Sequence, residues 1–183
     1  MKGRMRIHRT DLAEVIVLEP EVFADNRGHF LETYNERSFA AAGITARFVQ
    51  DNQSFSKQGV LRGLHYQLNH PQGKLIRVLQ GEIYDVAVDI RTGQPTFGKW
   101  AGIYLKSTDQ RTVWIPEGFA HGFYTLSELA QVAYKVTAFY EPQNDRSLLW
   151  NDPDVGVRWP LLGEPILSPK DRSGRSLKEL YSP

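Results

Sequence analysis

The chain has 183 residues, a length that suits one domain and buries roughly 70% of its unfolded surface. Its 22 Lys and Arg against 21 Asp and Glu leave a net charge of +1, which excludes a global electrostatic footprint for nucleic acid or an anionic membrane. The absence of cysteine excludes disulfides, thiolate metal sites and cysteine nucleophiles, and is compatible with a reducing cytoplasm.

The N-terminus is basic, with Lys2, Arg4, Arg6 and Arg9. The next apolar run, Val15 to Leu18, is too short for a secretory h-region. No segment approaches the roughly 18 apolar residues of a membrane span, so no membrane partner is expected. From there the chain reads as strands divided by turn signals such as Lys57-Gln58-Gly59 and Arg91-Thr92-Gly93. The expected strands are Glu14–Leu18, His29–Tyr34, Arg47–Phe55, Val60–Gln67, Lys74–Leu79, Glu82–Ile90, Lys99–Lys106, Thr112–Ile115, Gly122–Leu126 and Gln131–Tyr140. Helix is expected only over Glu36–Ala42, between the N-cap Asn35 and the stop Gly43, and in a turn at Ser176–Leu180. The pattern predicts an all-β protein: a sandwich, jelly roll or barrel of about ten or more strands with short peripheral helices, forming a single domain over residues 1–183.

Alternation assigns faces. In Glu82–Ile90, Tyr84, Val86, Val88 and Ile90 point one way and Asp85, Ala87 and Asp89 the other, so one face is core. In Gln131–Tyr140, Tyr134, Val136, Ala138 and Tyr140 share a wall that is either core or pocket. In Leu61-Arg62-Gly63-Leu64-His65-Tyr66-Gln67, His65 and Gln67 point together. Arg62 has the opposite parity and reaches the same side only if the strand bulges, which Gly63 permits.

The string Pro116-Glu117-Gly118-Phe119-Ala120-His121 has P-x-G-x-x-H spacing and resembles the second motif of the cupins, a jelly-roll superfamily that often carries a metal. A metal needs three or four converging ligands. Where metal cupins have H-x-H and a glutamate, this chain has His65 followed by Gln67, with no glutamate in register, and His8, His29 and His70 lie elsewhere. No metal site is expected. His65 and His121 are then free for proton transfer or hydrogen bonding.

Several strings together, Asn26-Arg27-Gly28-His29-Phe30-Leu31-Glu32, Leu61-Arg62-Gly63-Leu64-His65, Gln72-Gly73-Lys74, Val86-Ala87-Val88-Asp89-Ile90-Arg91, Pro95-Thr96-Phe97-Gly98 and Gly118-Phe119-Ala120-His121-Gly122-Phe123, resemble the dTDP-4-dehydrorhamnose 3,5-epimerases, in order from about Arg27 to Asp171. The resemblance implies a cupin-type jelly roll and a metal-free, cofactor-free homodimer acting on a dTDP-linked 4-keto-6-deoxy sugar. It further implies that His65 is the base, Asp171 its orienting carboxylate and Tyr134 the acid on the opposite sugar face. Lys74 and His121 match positions that contact the sugar and its carbonyl. Arg27, Glu32, Gln50, Asn52, Arg62 and Lys170 match nucleotide- or diphosphate-contacting positions, with Phe30 and Tyr140 matching positions that stack on thymine.

The residue types suit that chemistry. A 4-keto group acidifies the hydrogens on C3 and C5, a histidine of unperturbed pKa about 6.5 removes one near neutrality, and the enolate needs a cationic or hydrogen-bonding partner, for which Lys74 is the first candidate. This chain departs from the family at Ala138-Phe139-Tyr140, a less polar wall, and at Asp145, a substrate-contacting position where a longer glutamate is usual. The alternatives are an epimerase inverting C3 or C5 alone, and a non-catalytic sugar-nucleotide-binding cupin.

Overall fold

A computed structural model describes residues 5–181; Lys2 and Arg4 of the basic start lie outside the described residues. In chain order the strands are β1 (Arg6–Arg9), β2 (Ile16–Glu19), β3 (Val22–Asp25), β4 (Gly28–Leu31), β5 (Gln50–Lys57), β6 (Leu61–Gln67), β7 (Lys74–Gln80), β8 (Glu82–Asp89), β9 (Trp100–Lys106), β10 (Thr112–Ile115), β11 (Phe119–Thr125), β12 (Leu129–Val136) and β13 (Asp145–Ser147). The helices are α1 (Glu36–Ala41), α2 (Pro169–Arg172) and α3 (Leu177–Tyr181).

Two antiparallel sheets face each other as a cupin-type jelly roll, in the orders β1-β2-β10-β7-β12-β5 and β13-β6-β11-β8-β9. Period-two alternation divides each strand between the space inside and the outer face. Val17, Ile76, Val78, Val113, Ile115 and Val132 from the first sheet meet Ile83, Ala87, Leu105 and Phe123 from the second, filling one end of the sandwich with apolar side chains. Toward the other end the inward positions turn polar, at Asn52, His65, Lys74, His121 and Tyr134, and there the sandwich opens as a cleft.

The outer faces are also covered. On the first sheet Ile16, Leu18, Leu75 and Trp114 pack under Phe39 of α1 and the following Ile44. The Asn35 carboxamide caps α1 by accepting from the Arg37 and Ser38 N–H groups. On the second sheet Tyr84, Val86, Val88 and Leu148 pack under Val155 and Leu177 of the C-terminal segment. The expectation that only one face of the β8 strand is core is therefore corrected: Ile83 through Asp89 are all buried, because the C-terminal segment seals the outer face.

Other boundaries shift for physical reasons. β1 gave no signal because all four of its residues are exposed; it is an edge strand paired only with β2. The strand expected over His29–Tyr34 is instead the second arm of the β3–β4 hairpin, separate from both large sheets. The strand expected to run to Tyr140 ends at Val136. Thr137 donates its N–H to the Gly73 carbonyl, and the Tyr140 N–H goes to the Gln50 side chain, so residues 137–140 leave the sheet as a loop at the mouth of the cleft.

Candidate active site

The cleft encloses about 430 Å³ and draws its walls from both sheets. From the first come Gln50, Asn52 and Ser54 of β5, Lys74 of β7 and Tyr134 of β12; from the second, Arg62, His65 and Gln67 of β6 and His121 of β11. Tyr140, Asp145 and Lys170 close the rim.

The bulge that would bring Arg62 and His65 to one cavity is present. β6 pairs with β11 through His121↔His65 and then Phe123↔Arg62, so the register shifts between them. Gly63 sits at φ +111°, and a Cβ there would lie 2.6 Å from Gly122 Cα and from the His121 carbonyl oxygen, so no larger residue fits the crossing of the two strands. Arg62 is held by neutral partners, donating to the Ser56 hydroxyl at 2.9 Å and the Phe55 carbonyl at 3.1 Å.

His65 Nε2 lies 2.5 Å from Asp171 Oδ1, which turns Nδ1 of a neutral imidazole into the free lone pair. Asp171 is brought there by α2, whose Ser168 N-cap accepts the Asp171 N–H and donates its hydroxyl to Asp171 Oδ2 at 2.7 Å. Burial opposes the Asp171 charge, but the His65 ring, the Ser168 hydroxyl and the Gly63 N–H outweigh it and hold the carboxyl below its usual range. An ionised carboxylate behind the imidazole orients it and stabilises the imidazolium formed on proton uptake.

Facing this pair from the opposite sheet, the Tyr134 phenol is pushed up by burial and stays protonated at neutral pH. Lys74 is buried and donates from Nζ to the His65 carbonyl at 3.2 Å. Burial lowers its pKa to about 8, with Asp145 and Asp85 acting in the other direction. His121 Nε2 lies 2.7 Å from the fully buried Asp85. Burial is the largest influence on His121 and lowers its pKa although Asp85 opposes it, so this imidazole is neutral at pH 7 and acts as a hydrogen-bonding group.

At the rim, Gln50 Nε2 donates to Asn52 Oδ1 at 2.8 Å. The Tyr140 hydroxyl donates to Asp145 Oδ2 at 3.0 Å, and Lys170 pairs with the same oxygen. The shorter Asp145 thus ties Lys170 to Tyr140 across the cleft entrance.

Of the residues singled out in the sequence, the cleft assembles Gln50, Asn52, Arg62, His65, Lys74, His121, Tyr134, Tyr140, Asp145 and Lys170, with Asp171 behind His65. It does not bring in Arg27, Phe30 or Glu32. Arg27 pairs with Asp25 in the β3–β4 hairpin at 2.5 Å, and Phe30 is 72% exposed beside it. Glu32 accepts from Asn35 and Ser38 at the start of α1. Residues that the sequence did not single out as parts of this site include Asp85, the carboxylate behind His121; Ser54, whose buried hydroxyl has no hydrogen-bond partner among the described residues; and Gln67, beside Tyr66 and Gln72 in the wall. An acid at an inward position of a buried strand is the signal that marks Asp85. Among the described residues no three His, Asp or Glu side chains group as metal ligands, and no helix is long and apolar enough to cross a membrane.

Known proteins resemble this chain in sequence and fold. The family model described as dTDP-4-dehydrorhamnose 3,5-epimerase matches residues 9–179. Proteins named dTDP-4-dehydrorhamnose 3,5-epimerase from Pseudomonas aeruginosa and Methanothermobacter thermautotrophicus are each 51% identical, the first covering 96% of this chain and 97% of its own length, the second 97% of both. The crystal structure of the dTDP-6-deoxy-D-glucose-3,5-epimerase of Legionella pneumophila, in complex with dTDP-4-keto-L-rhamnose, superposes with a TM-score of 0.94 at 48% identity, covering 98% of this chain and 95% of that one.

Proposed function

This chain belongs to the dTDP-4-dehydrorhamnose 3,5-epimerase family, and from that premise we propose how its cleft carries out the family's reaction. The enzyme epimerises dTDP-4-dehydro-6-deoxy-D-glucose at C3 and C5 to dTDP-4-dehydro-L-rhamnose, in dTDP-L-rhamnose biosynthesis. The observation that carries the residue roles is that His65 on one sheet, backed by Asp171 of α2, and a protonated Tyr134 on the other sheet line the same cleft.

With the hexose between the sheets, His65 Nδ1 takes the proton from C3 or C5, and the C–H electrons move into an enolate whose charge rests on the C4 oxygen. The Lys74 ammonium stabilises that oxygen. Tyr134 returns a proton to the same carbon from the opposite face, so configuration inverts; His65 then loses its proton to solvent and Tyr134 regains one. The same sequence at the second carbon completes the double epimerisation. The C4 ketone supplies the acidity, so neither step transfers an electron or needs a redox cofactor.

Arg62 and Lys170 supply local positive charge for the diphosphate of a protein whose net charge is only +1. Gln50 and Asn52 offer amide contacts to the nucleotide, and Tyr140 offers an aromatic face for the thymine. His121, neutral and backed by Asp85, hydrogen-bonds the sugar.

Incubating the protein with substrate in D2O and following the C3 and C5 protons by NMR tests these roles. Tyr134→Phe is expected to keep washing deuterium into the substrate through His65 alone, while formation of the inverted sugar falls by about 10²-fold or more. Inversion at the wild-type rate in this variant would remove Tyr134 from the acid role.

The β3–β4 hairpin leaves Val22 42% and Phe30 72% exposed and its strands pair with no strand of either large sheet, which supports its seating against a second copy in a homodimer. Arg27, Phe30 and Glu32 would then meet the ligand as part of an assembly. Sedimentation at micromolar protein is expected to give a dimer, and a monomer throughout that range would count against this placement. The enzyme works in the cytoplasm, a compartment that suits a cysteine-free chain, and residues 1–183 act as one domain, a reading supported by the pairing of Asp171 with His65 of β6 across the fold.

A further inference from the structure

Two residues beyond the base on β6, Gln67 is 6% exposed and makes all of its side-chain hydrogen bonds to main chain. Its Nε2 donates to the His70 carbonyl at 2.9 Å and to the Phe139 carbonyl at 3.2 Å, and its Oε1 accepts the Glu141 N–H at 2.7 Å. His70 is held at φ +51°, a left-handed conformation uncommon outside glycine. One buried amide thus joins the two loops at the cleft mouth, residues 68–73 and 137–144.

Tyr140 lies between the two residues of the second loop that Gln67 grips. Its own N–H donates to Gln50 Oε1 at 3.1 Å, so three consecutive residues are fixed by two side-chain amides reaching out from opposite sheets. The ring they carry is 52% exposed and belongs to no strand. Without such ties a tyrosine on a loop samples many orientations, and a base that stacks on it must order the loop as it binds.

We propose that Gln67 is a positioning residue that presents the Tyr140 ring, already oriented, to the nucleotide base. This rests on the reading that Tyr140 takes the base. Neither close relative of the side chain can substitute. Glutamate would accept from Glu141 but set a carboxylate against two carbonyl oxygens, whereas leucine fills the space and leaves all three main-chain groups unpaired.

The test is a double-mutant cycle read by calorimetric binding of dTDP alone and by steady-state kinetics. Gln67→Leu is expected to weaken dTDP binding about tenfold and raise KM similarly, with kcat at saturation falling less than threefold. In a Tyr140→Ala background the same change should cost under about twofold more. Wild-type dTDP affinity in Gln67→Leu, or a full additional loss in the double variant, would overturn the proposal while leaving Tyr140 as the stacking residue. Wild-type affinity in Tyr140→Ala would instead remove the reading on which it rests. If Gln67→Leu does not fold, Gln67→Asn, which keeps an amide one methylene too short to reach both loops, is put through the same cycle, with the same outcomes deciding.

Discussion

Replacing His65 by alanine is expected to stop hydrogen exchange at C3 and at C5 together, lowering both rates by about 10³-fold or more. His65 is the ring with an ionised carboxylate fixed at 2.5 Å from one nitrogen, which leaves the other nitrogen as a lone pair in the cleft. His121, the neighbouring imidazole across the strand pair, is burdened by burial and so accepts a proton less readily. Parallel loss at both carbons, in the D2O experiment, is the signature of one base serving both. If His65→Ala left exchange at either carbon intact, a second base would be required, and the pair formed by His121 and Asp85 would be the first place to look.

Lys74→Met is expected to lower kcat by about 10² to 10³, the usual consequence of removing a donor to a developing oxyanion, with a smaller effect on dTDP binding. The pH dependence follows from the same side chain. Burial brings Lys74 down to about 8; below that pH the ammonium is present to receive the enolate charge, and above it the neutral amine prevails. The kcat/KM of the wild type should therefore fall as pH rises through about 8, the profile of the free enzyme reporting this group. In Lys74→Arg, whose guanidinium stays charged across that range, the alkaline limb should move well above pH 9 even if the absolute rate is lower. An unchanged limb in Lys74→Arg would assign it to another group.

How far the sequence carried can be followed in particular residues. The β8 and β11 strands were legible because their alternation or apolar content is strong, and most inner strands came out within a few residues of their bounds. β1, β3 and β13 were not, since exposed or very short strands leave little local pattern, and of the β3–β4 hairpin only the second arm was expected. Arg62 shows the intermediate case: its parity set it apart from His65, and Gly63 marked the spot where a bulge unites them. The residues carried over from motif resemblance converge on the cleft except Arg27 and Phe30 on the hairpin and Glu32 just after it. What alternation could place but not pair were Asp85 with His121 and the amide of Gln67 with its two loops, because a hydrogen bond from β11 to β8, or from a strand to two loops, is a property of the assembled molecule.

The contact between His65 and Asp171 spans 106 residues of chain. Each large sheet can in principle pair its strands while the C-terminal segment is still unplaced, yet the imidazole would then swing without its carboxylate. Docking of that segment also seals β8 and joins Leu148 to Arg175. Catalytic competence therefore depends on how the segment carrying Asp171 is docked: a molecule with that segment displaced keeps the cleft walls contributed by the two sheets but has no oriented base, so loosening a contact far from the cleft is enough to silence it.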